Sequence, residues 1–134
     1  MVYLWKSQKG VFDMCVNPKI DSFGNKHWYQ NDQPHRADGP AIEYADGGKE
    51  WWQNGKRHRA DGPAIEYANG DRLWYQNDQF HRADGPAVEW SNGAKFWYQH
   101  GQLHRADGPA IERADGAKEW YTYGRVKKAY LICA

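Results

Sequence analysis

The heptapeptide His-Arg-Ala-Asp-Gly-Pro-Ala occurs four times, at His35–Ala41, His58–Ala64, His81–Ala87 and His104–Ala110, and its start positions 35, 58, 81 and 104 differ by 23 each time. A motif at one fixed period restricts the chain to a repeat architecture, in which each unit buries its apolar side only against its neighbours. Gly or Pro interrupts every stretch of about ten residues, so no helical periodicity is sustained. The expected fold is therefore all-β: an open solenoid, or elongated twisted sheet, of 23-residue β-hairpin repeats.

On that period residues 1–134 read as a single repeat domain. Residues 1–11, with a short strand Val2–Lys6, form an N-terminal cap, and 12–34 a degenerate repeat whose back half Gly24–Asp32 keeps the pattern. Full repeats follow at 35–57, 58–80, 81–103 and 104–126, and 127–134 closes the array as a capping strand. Mean hydropathy is −1.03 while 16% of residues are aromatic. That pairing argues against disorder and for a thin structure with a narrow core, because disordered chains lack large rings to bury. The start has no signal-peptide pattern, and no apolar run has the length of a membrane span. Cys15 and Cys133 flank the array and read as two reduced thiols of a cytoplasmic protein.

Each repeat carries Asp-Gly or Asn-Gly between two strand-like runs, at Asp46-Gly47, Asn69-Gly70, Asn92-Gly93 and Asp115-Gly116. Such dipeptides favour a two-residue type I′ turn. A turn of that kind pairs Tyr44 with Lys49 and Ile42 with Trp51. It places Ile42, Tyr44, Lys49 and Trp51 on one face, with Ile65, Tyr67, Arg72 and Trp74, then Val88, Trp90, Lys95 and Trp97, as equivalents. The Ile–Trp pairs assign that face to the core. A second turn follows at Asn54-Gly55. The opposite face then presents a row of rings, Tyr29, Trp52, Tyr75, Tyr98 and Tyr121, beside an acidic row, Glu43, Glu66, Glu89 and Glu112. This is the candidate binding surface, although packing is the commoner role of an aromatic stripe.

The heptapeptide brings together residue types that elsewhere do chemistry. A metal needs three or four converging ligands, whereas each repeat supplies one His and one Asp, and equivalent histidines lie two strands apart. Acid–base catalysis uses one distinctive constellation in one cleft, not four copies along a ladder. Nucleic-acid binding needs unneutralised cations, but Asp follows each Arg by two residues and the net charge is +1. The heptapeptide instead reads as an inter-repeat clip of His35, Arg36 and Asp38, His58, Arg59 and Asp61, His81, Arg82 and Asp84, and His104, Arg105 and Asp107. In that clip Asp accepts backbone N–H groups at the turn, Arg pairs with the Asp or with the Glu of an adjacent repeat, and His bonds a backbone carbonyl.

The period, with Trp52-Gln-Asn-Gly-Lys-Arg-His58 and Tyr67-Ala-Asn-Gly-Asp71, resembles the MORN repeat family over roughly Gly24–Gly124. The chain departs from it at Arg59-Ala-Asp-Gly-Pro-Ala64, where the family has Gly-x-Gly, and at Leu73-Trp74-Tyr75, which lacks the family's strand glycine. The variant is similar to repeats in small phage, giant-virus and bacterial proteins. The resemblance implies scaffolding or protein binding without catalysis; no catalytic residue, cofactor or metal is expected. By analogy it suggests an anti-defence inhibitor that covers a host protein in the host cytoplasm. A nucleotide or other planar ligand held by the aromatic and acidic rows is the alternative. The open strand edges favour a homodimer through the array ends.

Overall fold

The computed structural model describes residues 17–130. The expected cap over 1–11, the front of the degenerate repeat, Cys15 and Cys133 lie outside the described residues. Among the described residues the architecture is all-β, without helices, and its long antiparallel sheet is not closed into a barrel.

Strands β1 (Lys19–Ile20), β2 (Lys26–His27), β5 (Ile42–Glu43), β6 (Lys49–Glu50), β9 (Ile65–Glu66), β10 (Arg72–Leu73), β13 (Val88–Glu89), β14 (Lys95–Phe96), β17 (Ile111–Glu112), β18 (Lys118–Thr122) and β19 (Arg125–Tyr130) form an eleven-stranded sheet in that order. Between them lie four two-stranded ribbons: β3 (Tyr29–Gln30) with β4 (Gln33–Pro34), β7 (Trp52–Gln53) with β8 (Lys56–Arg57), β11 (Tyr75–Gln76) with β12 (Gln79–Phe80), and β15 (Tyr98–Gln99) with β16 (Gln102–Leu103). Repeats 35–57, 58–80 and 81–103 thus each give one hairpin to the long sheet and one to a second layer, whereas in 104–126 the second hairpin, β18–β19, stays in the long sheet. A tryptophan hands the chain from one to the other. The Trp51 N–H donates to Ala64 O (2.7 Å), and its carbonyl accepts from the His58 N–H (3.1 Å). Trp28, Trp74 and Trp97 make the equivalent pairs.

The two turns of a repeat differ from each other, and the first differs from expectation. Ile42 pairs with Glu50 and Glu43 with Lys49, so the loop holds three residues, Ala45-Asp46-Gly47. Tyr44 N–H donates to Gly48 O (2.8 Å), and only Gly47 has positive φ (100°). This is a type I turn closed by a left-handed glycine. The physical reason is Asp46, whose Oδ1 accepts the Gly48 N–H (2.9 Å). Asn69, Asn92 and Asp115 cap the residue two ahead in the same way. The type I′ turn appears one hairpin later. Asn54 and Gly55 have φ of 50° and 79°, and Gln53 pairs directly with Lys56.

A one-residue change of register moves a strand's side chains to the other face, and here it turns the returning strand of each hairpin over, Lys49, Arg72 and Lys95 outward and Glu50, Leu73 and Phe96 inward. Ile42, Glu50, Ile65, Leu73, Val88, Phe96 and Ile111 share the inner face, while Glu43, Lys49, Glu66, Arg72, Glu89, Lys95 and Glu112 share the outer one. The expected core row therefore does not form as a row. Ile42, Ile65 and Val88 point inward, but Lys49, Arg72 and Lys95 are exposed on the outer face, and Tyr67 and Trp90 are 44% and 38% exposed. The core lies between the long sheet and the ribbons. It holds Ala64, Ile65, Leu73, Tyr75 and Val88, with Phe80, Phe96 and Tyr98 packed on it. Tyr75 stacks on Phe80 (centroids 4.4 Å apart), which meets Tyr98 at 5.0 Å.

The register makes a direct prediction. Leu73→Ala lowers stability by about 2–4 kcal/mol through lost burial and a cavity, whereas Arg72→Ala next to it costs less than about 1 kcal/mol. Urea midpoints of the two variants check this, and the order reverses if the slipped register holds.

Candidate functional site

The heptapeptide is built around its arginine. The Arg59 guanidinium lies over the Trp51 ring, 3.8 Å from its centroid. On its other side runs the Gly62 backbone, where an added Cβ would stand 2.9 Å from Arg59 Cζ. Gly62 does not have a positive φ, so its glycine is demanded by close approach and not by dihedral freedom. In the plane of the guanidinium, Nε donates to Asp61 Oδ1 (3.1 Å) and Nη1 to both Pro63 O (3.1 Å) and Glu66 Oε2 (3.2 Å). Arg36, Arg82 and Arg105 repeat this set on Trp28, Trp74 and Trp97. Backbone bonds tie the unit to the ribbon that follows. Arg59 N–H donates to Tyr75 O (3.3 Å), and Gln53 Nε2 donates to the Arg36 carbonyl (3.0 Å).

The histidines reach from the end of one ribbon to the turn of the next. His35, His58, His81 and His104 each accept, on Nδ1, the backbone N–H of the first residue of the next type I′ turn: Asn54, Asn77, His100 and Tyr123, at 3.0–3.2 Å. These turn residues sit at φ of about 50°, and the bond pins them there. His104 also stacks on Tyr123 (4.2 Å), and His81 meets His100 at 4.5 Å.

The structure revises three roles within the clip. The histidine accepts a backbone N–H where donation to a carbonyl was expected. The aspartate holds its own arginine where turn capping was expected, and the Asp61 side chain is 87% exposed. The glutamate that pairs with each arginine belongs to the same repeat, seven residues on.

The expected binding surface is taken apart by the register. Glu43, Glu66, Glu89 and Glu112 lie on the outer face under the arginines. Tyr75 is buried on the inner side, Trp52, Tyr98 and Tyr121 are half-buried, and only Tyr29 is exposed. The rings and the carboxylates thus do not share a face. Trp52 Nε1 and Tyr44 Oη both donate to the buried Glu50 (2.8 and 2.7 Å), and burial together with that carboxylate pushes the Tyr44 hydroxyl pKa up. Burial likewise raises Tyr75 and Tyr98.

Two kinds of surface feature remain. Successive heptapeptides enclose three equivalent clefts of about 700, 530 and 460 Å³, with Trp51, Trp74 or Trp97 among their lining residues. At the tips of the long-sheet hairpins, Trp90, Ala94, Phe96 and Arg113 line an open notch of about 450 Å³. The sequence reading missed this notch by assigning Trp90 to the core. The apolar residues Leu73 and Phe96, two before Tyr75 and Tyr98, were the available signal that those rings face inward. Among the described residues no group of three or more His, Cys, Asp or Glu stands together for a metal ion, and no helix is long and apolar enough to cross a membrane. No family model matches the chain, and no curated protein matches it.

Two expectations test the clip. Gly62→Ala drives the guanidinium off Trp51 and costs about 1–3 kcal/mol, while Asp61→Ala shifts the melting temperature much less. Equal melting shifts would place the strength of the clip in the ion pair instead. The second concerns His81, whose pKa is lowered from 6.5 by burial and then by His100. Its unfolded form binds the proton more readily, so stability is full above about pH 6.5 and falls as pH drops towards the folded value. His81→Asn, which keeps an acceptor but does not titrate, should flatten that part of the pH–stability curve measured by urea unfolding.

Proposed function

We propose that this chain is a non-enzymatic recognition module that binds another protein along the tips of the long-sheet hairpins. One observation carries the reading: at a single position of the 23-residue period the side chains are Tyr44, Tyr67, Trp90 and Arg113. Tyr67 and Trp90 are more than a third exposed, and the Arg113 side chain is 46% exposed. Tyr, Trp and Arg are the residue types that dominate binding hot spots. At two strands per repeat the row is about 30 Å long, the scale of a standard interface covering roughly 800 Å² per partner. The Trp90 notch would take an anchoring side chain of the partner, with Asn92 and Asp115 on its polar rim.

The groups that could have done chemistry support a scaffold role, because each heptapeptide Arg, His and Asp is already engaged with a neighbour. An inhibitor that covers a host protein is the form of recognition suggested by the heptapeptide's similarity to virus-type repeats, and it rests on that similarity alone. The planar-ligand reading loses support, since four of its five rings lie in the ribbons and its carboxylates on the outer face of the long sheet.

The test is affinity capture from the native host with the wild type and with a Tyr67→Ser/Trp90→Ser variant, followed by mass spectrometry. A macromolecule retained by the wild type and lost by the variant, at unchanged melting temperature, is the expected result. Retention by both removes the tip row from the interface. A co-purified absorbing small molecule that raises the melting point would favour the ligand reading.

A further inference from the structure

Opposite charges on the outer face are exposed to different degrees. Along the long sheet, cross-strand partners alternate in sign: Lys26, Glu43, Lys49, Glu66, Arg72 and Glu89 follow one another, and the alternation continues to Lys118. The glutamates are partly covered, with side chains 28–36% exposed under the clip arginines, and those arginines are only 23–25% exposed between Trp and Gly. The cations Lys49, Arg72 and Lys95 stand free in solvent. The clip aspartates each give one oxygen to their arginine and still present side chains that are 71, 87, 87 and 88% exposed at Asp38, Asp61, Asp84 and Asp107. One guanidinium bridges each Asp to the Glu that is in register with the cations, so both rows belong to the same side of the sheet. A chain of net charge +1 therefore shows solvent a basic row and, beside it, an acidic row, each with one member per repeat.

We propose that this outer face pairs with the same face of a second copy. A two-fold axis along the array places each acidic row against the partner's basic row, as an isologous contact requires. The two rows match in spacing automatically, because both copies carry the same period. The axis across the array would oppose like charges, so the copies run in the same direction. The three clefts open beside the aspartates, each bounded by the Asp of two successive repeats. They receive the partner's Lys49, Arg72 and Lys95, one per cleft. The small Ala60, Ala83 and Ala106, exposed at the cleft walls, leave room for that approach. The contact leaves the Tyr67–Trp90 tips to another partner and does not rest on the proposed function.

Sedimentation velocity at low ionic strength tests it on the full chain. The wild type should be a dimer at about 0.05 M salt and at least about tenfold weaker at 0.5 M, because exposed ion pairs are screened. Asp61→Asn/Asp84→Asn/Asp107→Asn should be monomeric, and so should Lys49→Gln/Arg72→Gln/Lys95→Gln. Mixing an Asp→Lys triple variant with a Lys49→Glu/Arg72→Glu/Lys95→Glu variant should restore a heterodimer. Like charges across strands put the folding of the second at risk; if circular dichroism shows it unfolded, the two neutral variants decide. A wild type that stays monomeric at low salt overturns the proposal. So does a dimer untouched by either neutral triple variant, which would place the contact at the array ends.

Discussion

The clip arginine, held flat between a tryptophan ring and a glycine backbone, is the contact on which the array depends. A two-residue strand pair has too few ladder bonds and too little apolar area to persist alone, and all but β18 and β19 are of that length. The guanidinium supplies what the strands lack. Its face covers the tryptophan at the corner between layers, and its edge gathers the loop carbonyl, the loop aspartate and the outer-face glutamate. Cation–π contact and charge-assisted bonds are each worth on the order of 1–2 kcal/mol when partly desolvated, and here they share one group whose order is fixed once. This is how a chain with mean hydropathy of −1.03 keeps a defined core. Arginine stems and guanidinium planes cover the rings that would otherwise need aliphatic neighbours.

The remaining heptapeptide residues follow from the same geometry. Glycine is present because any Cβ would meet the guanidinium. Proline offers its carbonyl to the arginine and has no N–H to leave unpaired. The final alanine, fully buried at 41, 64, 87 and 110, donates its N–H to the carbonyl of residue 50, 73, 96 or 119, and a larger side chain would have no space. The histidine reaches forward to the next ribbon turn. The arginine, aspartate, glycine, proline, final alanine and histidine are the same in the four copies because each meets a partner, backbone or side chain, that recurs at the same place in every repeat.

That invariance explains what could be read from the sequence. The period, the hairpin content, the two turns per repeat and the structural reading of the heptapeptide all come from spacing and residue type. The register did not, because Asp46-Gly47 and Asn54-Gly55 look alike as dipeptides while their surroundings separate them. At Asp46 the side chain captures the Gly48 N–H and makes a three-residue loop. At Asn54 the backbone N–H is taken by His35 at the start of the same repeat, a contact 19 residues away that no local window contains. The slipped residue turned Leu73 and Phe96 inward, and with them Tyr75 and Tyr98 of the candidate site, while Tyr67 and Trp90 are exposed by their place at the hairpin tips.

The inner row also changes character along the array. Its middle is apolar at Ile65, Leu73, Val88 and Phe96, but Glu50 and Glu119 occupy the equivalent positions towards either end. Each carboxylate is satisfied locally, Glu50 by Tyr44 and Trp52, and Glu119 by Arg113 and Tyr121. Hydrogen bonding to Arg113 holds the Glu119 carboxyl below its ordinary pKa. Apolar burial is thereby concentrated in the central repeats, and the flanking ones trade it for polar networks that tolerate water. Beyond them β19 carries Arg125, Lys127 and Lys128, and its pairing with β18 shifts register between Trp120 and Tyr121. Cationic side chains and a bulge are the usual means of discouraging another strand from adding to an edge. Among the described residues the β19 edge is protected in this way, so the side-by-side contact proposed above does not compete with strand addition at that end.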